Sequence, residues 1–133
     1  QSLEKAQDQL RAFSTAWAAL EIFTNKVFAK YEENFVEGIS KEHNSHGVNE
    51  FLDRISEVMK DKYRLTDKFS LIASFLSDDV SADIAQFKRL KDMRDDISHG
   101  KEFDEIRLPV EDARKLVAKY LKLHMLAQDA LQS

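Results

Sequence analysis

Arg94-Asp95, followed after three residues by His99 and then Gly100, is the one group in this sequence whose residue types and spacing could do chemistry. An imidazole changes charge near neutral pH, so His99 could take a proton from a hydroxyl or give one to a leaving oxygen. An arginine fork suits a phosphate and stabilises charge that builds during transfer, which makes Arg94 a phosphate clamp. Asp95 lies four residues before His99 and shares a helix face with it, so its carboxylate could orient the imidazole and hold it cationic. Arg94 and His99 stand about 140° apart around a straight helix and do not share a face. Arg94 must therefore reach His99 by its length, by a distorted last turn, or from a second subunit.

Each residue also has a plainer reading. Arg94 could be a surface arginine paired with Asp92, Asp95 or Asp96, a contact worth little energetically. His99 could be a cation favoured at a helix C-terminus by the macrodipole. Glu21 could be a solvated helix residue or a polar group near the cleft, and the solvated reading is the commoner case. His124 falls on an apolar stripe, four residues after Tyr120, as a core histidine with a local hydrogen bond within reach. His43-x2-His46 lacks a third ligand at a recognised spacing, and no His-Glu-x-x-His or glycine-rich phosphate loop occurs. No cofactor or metal is therefore expected. Lys88, Arg89, Lys91, Arg94 and Lys101 form a local basic run, but the interleaved aspartates make it a mixed solvated surface.

The elements that must position these residues are helices. The chain has 133 residues, 43% of them hydrophobic and 33% charged, enough for one domain over residues 1–133 with its own core. Three Gly and one Pro are sparse punctuation and favour long helices. Apolar residues recur at helical steps from about Leu3 to Phe35, with Phe13, Trp17, Leu20, Phe23, Val27 and Tyr31 on one face and Gly38 expected to close the helix. The stretch from Gly38 to Gly47 reads as a loop. A second helix from about Val48 to Lys60 should bury Val48, Phe51, Leu52, Ile55 and Met59. Thr66 is the expected N-cap of a third helix burying Phe69, Ile72, Ala73 and Leu76. Ser77-Asp78-Asp79 offers caps for a fourth, Val80 to Ser98, with Gly100 as a left-handed C-cap. Pro109 suits the first position of a fifth, which presents Val110, Ala113, Leu116, Val117, Tyr120, His124, Ala127 and Leu131. The fold class is all-α, a four- or five-helix bundle.

Charge and cysteine usage bound the partners. The net charge is −4 and the pI is near 5.6, so any nucleic-acid contact should be local rather than a broad electrostatic grip. Cysteine is absent, which removes disulfides and thiol nucleophiles and fits a reducing, cytoplasmic setting. No apolar run is long enough to span a membrane. The first residue is Gln1 rather than Met, as expected for a piece of something longer.

The Arg94-Asp95-x3-His99-Gly100 motif at the end of the penultimate helix resembles the Arg-x4–6-His motif of HEPN domains. The opening helix with Trp17-Ala18-Ala19-Leu20-Glu21, and one further long helix after the motif, agree in order with that family. Lys101 stands where toxins of the HepT type carry tyrosine, so no paired nucleotidyltransferase is implied. The resemblance implies a HEPN-like bundle, a homodimer in which two motifs line one cleft, and cleavage of single-stranded RNA without a metal. There His99 would serve as general acid or base, taking a proton from the ribose 2′-OH or supplying one to the leaving 5′-oxygen. DNA lacks that hydroxyl. The resemblance also implies a role in toxin–antitoxin or antiviral defence, with an antitoxin or adjoining domain as a further partner.

Two other readings use the same residues. One is a non-catalytic HEPN-like module that binds a nucleotide or RNA, or only dimerises; the acidic pI fits it. The other is a helical interaction domain in which Arg94 and His99 are incidental.

Overall fold

Five helices run alternately up and down in the computed structural model, which describes residues 3–42, 45–61, 64–100 and 108–132. They are α1 (Leu3–Glu42), α2 (His46–Met59), α3 (Leu65–Leu76), α4 (Val80–Ser98) and α5 (Val110–Gln132). Side-chain contacts fix their directions. Phe23 meets Tyr120 and His124 while Lys30 meets Gln128, so α1 and α5 run parallel. Lys68 bonds Asn25 and Phe75 touches Tyr31, so α3 is parallel to α1 as well. Helix α4 descends between them, with Phe87 against Trp17. Among the described residues no strand occurs, and no helix is long and apolar enough to cross a membrane.

The core is aromatic at its centre. Phe69 stacks on Phe87 with ring centroids 4.2 Å apart, Trp17 tilts against Phe87 at 5.3 Å, and Tyr120 closes on Phe69 at 4.8 Å. Phe13, Leu20, Ile72, Leu90 and Ala113 complete the fully buried layer. These are the positions that helical periodicity marks on α1, α3, α4 and α5. Their burial, at about 1.5–3 kcal/mol for each large side chain, supplies most of the drive to fold.

Three expectations about helix ends are corrected. Helix α1 does not close at Gly38 but continues to Glu42. A helical glycine costs only about 1 kcal/mol against alanine, and among the described residues Gly100 alone takes a positive φ, so nothing turns the chain at Gly38. Helix α2 begins at His46, not Val48, because Ser45 caps it: its Oγ accepts from the Val48 N–H at 3.2 Å. Thr66 is not a cap but lies inside α3, its carbonyl accepting from the Ser70 hydroxyl at 2.8 Å.

Helix α2 departs furthest from expectation. Of its five expected core residues only Leu52 is buried; Phe51 is 63% and Ile55 42% exposed. The helix lies chiefly against α1, tied by the Ser56 hydroxyl donating to Glu32 at 2.7 Å. Its apolar arc is wider than the strip one neighbour can cover.

Candidate functional site

Helix α4 behaves at its end as its sequence dictates. His99 is the C-cap, its N–H donating to the Asp95 carbonyl at 3.0 Å, and Gly100 follows with φ +76. That left-handed residue stops the helix and leaves the His99 side chain exposed at the rim of the bundle.

Beside this end lies a cavity of about 330 Å³. Arg94 and His99 both line it, with Lys91 and Asp95 between them on α4. The facing wall is α1, through Trp17, Glu21 and Asn25, and Leu65 of α3 closes one side. The 140° between Arg94 and His99 is thus spanned by the breadth of the cavity. Reach alone does not require a second subunit. A smaller cavity of about 270 Å³ adjoins, lined by Arg94 and Ile97 of α4 and by Phe13, Trp17 and Glu21 of α1.

Asp95 is engaged by cations. Lys91 Nζ stands 2.8 Å from its Oδ2 and Arg94 Nη1 3.6 Å from its Oδ1. Among the described residues no hydrogen bond joins its carboxylate to the His99 imidazole. With side chains from 29% to 48% exposed, these pairs contribute little to stability and chiefly hold the two cations in place.

The expected solvated Glu21 is instead half-buried and faces this cavity. The Trp17 indole N–H donates to its Oε2 at 3.2 Å. Trp17 is only 3% exposed and packed on Phe87, so it is a fixed donor. The sequence signal was there: Glu21 follows Trp17 by four residues, one helical turn, on the edge of the apolar stripe.

The remaining candidates lie elsewhere. His124 is remote from the cavity, edge-on to Phe23 at 6.0 Å, and its Nδ1 is buried with no hydrogen-bond partner among the described residues. The Tyr120 bond that the spacing put within reach of its Nδ1 is not formed, and the Tyr120 hydroxyl donates to Asp83 at 2.6 Å. Burial, and then the charge of Lys30, lower the His124 pKa below its ordinary value. His46 is exposed and 3.8 Å from Glu50; His43 and Lys101 lie outside the described residues. Among the described residues no three His, Asp or Glu side chains are grouped to hold a metal.

No family model matches this chain, and neither does any curated protein or solved structure.

Proposed function

We propose that the chain is a HEPN-like, metal-independent endoribonuclease that cleaves single-stranded RNA and works as a homodimer, two such cavities lining one cleft. The observation that carries the reading is the shared cavity: an imidazole, a guanidinium and an ammonium, from His99, Arg94 and Lys91, open on one space. An imidazole that moves a proton and a guanidinium that holds a phosphate are the parts that transfer to a ribose hydroxyl needs. In a chain with net charge −4 any phosphate contact is local, and Lys91 and Arg94 supply it here beside the carboxylates of Glu21 and Asp95.

The test is incubation with mixed-sequence single-stranded RNA and matched DNA in EDTA, beside Arg94→Ala and His99→Ala. Cleavage of RNA alone, lost in both folded variants, is the expected result. A wild-type chain that leaves the RNA intact, or variants that cut as well as wild type, would overturn it. Retained RNA binding without cleavage would make the chain a binding module instead. Sedimentation as a monomer at tens of micromolar would remove the dimer from the proposal.

A further inference from the structure

We infer that Glu21 is the general base of this site, with His99 as the acid, so that each chain carries a complete set of catalytic groups. The inference rests on the nuclease reading above and assigns a role to a residue outside the Arg–His motif.

Cleavage through the 2′-OH needs two proton transfers on different sides of the phosphorus. A base must take the hydroxyl proton, and an acid must protonate the departing 5′-oxygen. The described part of the motif offers one imidazole per chain. The second group must come from elsewhere in the cavity or from a partner subunit.

Two carboxylates line the cavity, and their surroundings separate them. Asp95 is held between Lys91 at 2.8 Å and Arg94 at 3.6 Å, so both of its oxygens are already engaged by cations. Glu21 has no cation paired with it among the described residues. It is fixed by one neutral donor, the Trp17 indole, which leaves lone pairs for a hydroxyl proton. Glu21 stands on the α1 wall and His99 on the α4 wall. Arg94 and Glu21 both line this cavity and the adjoining one. A phosphate bound at Arg94 would share the cavity with a base on the α1 wall and an acid on the α4 wall.

The step balances without another reactant. Glu21 takes the proton of the 2′-OH, the 2′-oxygen bonds to phosphorus, and the bond from phosphorus to the 5′-oxygen breaks. The His99 imidazolium gives its proton to that 5′-oxygen. The products are a 2′,3′-cyclic phosphate and a 5′-hydroxyl, and proton exchange with water resets both side chains.

The test is Glu21→Gln, whose amide oxygen still accepts from Trp17, so the fold is preserved; circular dichroism and the melting temperature check that. We expect kcat/KM to fall about 100-fold or more, the usual worth of a general base. Glu21→Asp should recover part of the rate. A second measurement mixes Glu21→Gln with His99→Ala chains. If base and acid belong to one chain, the mixture stays inactive. If the partner's groups complete the site, mixed dimers regain activity, which would overturn the inference. Glu21→Gln cutting at the wild-type rate, while Arg94→Ala and His99→Ala are dead, would also overturn it and leave the nuclease reading standing. An inactive wild-type chain would end both.

Discussion

The Tyr120 hydroxyl donates a 2.6 Å hydrogen bond to the Asp83 carboxylate across the contact between α5 and α4. Ser77 donates to the same oxygen at 2.6 Å, and the Lys119 ammonium approaches it to 2.8 Å. Burial alone would raise the Asp83 pKa, but the bonds from Lys119, Ser77 and Tyr120 and the Lys119 charge outweigh it and hold the carboxyl below its ordinary value near 3.8. A group whose folded pKa is depressed stabilises the fold above its unfolded pKa and loses that contribution as pH falls through the folded value. Tyr120→Phe keeps the ring in the core and removes one bond. It should cost about 1–2 kcal/mol at neutral pH and bring acid unfolding on at higher pH. Urea titrations at neutral and acid pH check both; a variant as stable as wild type at each would show the bond to be idle.

His124 makes stability pH-dependent in a different window. Its pKa is lowered by burial and then by Lys30, from an ordinary value of 6.5. The unfolded chain therefore binds the proton first, and stability falls as pH drops through the unfolded value toward the folded one. Between about pH 7.5 and about pH 5.5 the denaturation midpoint should decline, and His124→Leu should remove that part of the decline. An equal slope in the variant would place the effect on other groups.

The helices and the core were legible because periodicity reports burial directly. Phe13, Trp17, Phe69, Phe87, Leu90 and Tyr120 sit where a three- and four-residue recurrence puts them, and all are buried. Helix α2 shows the limit of the same signal. Phe51 and Ile55 obey the period, but a period says which face is apolar and not how much of it a neighbour covers. At the site, Arg94, Asp95 and His99 stood out as a local motif. The opposite wall did not, because Glu21 lies more than seventy residues away and its place depends on how α1 meets α4. The pairing of Asp95 with Lys91 follows an i,i+4 rule that was equally available for His99, and spacing alone gave no preference.

Two glycines should respond to alanine with opposite signs. Gly100 has φ +76, and a Cβ added there would meet nothing within 4 Å, so Gly100→Ala meets backbone strain alone. It should cost about 1 kcal/mol and fray the turn that presents His99. Gly38 lies inside α1 with equally open space around it. Gly38→Ala should stabilise by about 0.5–1 kcal/mol through helix propensity and a less flexible unfolded chain. Melting temperatures that moved the same way would contradict the φ assignment at Gly100.

Phe87 and Phe51 test whether the core is where the structure puts it. Phe87 is fully buried between Phe69 and Trp17, so Phe87→Ala removes two ring contacts and leaves a cavity that a close-packed bundle fills poorly. The cost should be about 3–5 kcal/mol, a large fraction of a small domain's stability. Phe51 has the same side chain and the same helical periodicity but is 63% exposed on α2. Phe51→Ser should shift stability by no more than about 0.5 kcal/mol. Chemical denaturation of the two variants separates them. Comparable losses would mean that α2 turns its apolar arc inward in solution, against a neighbour other than α1.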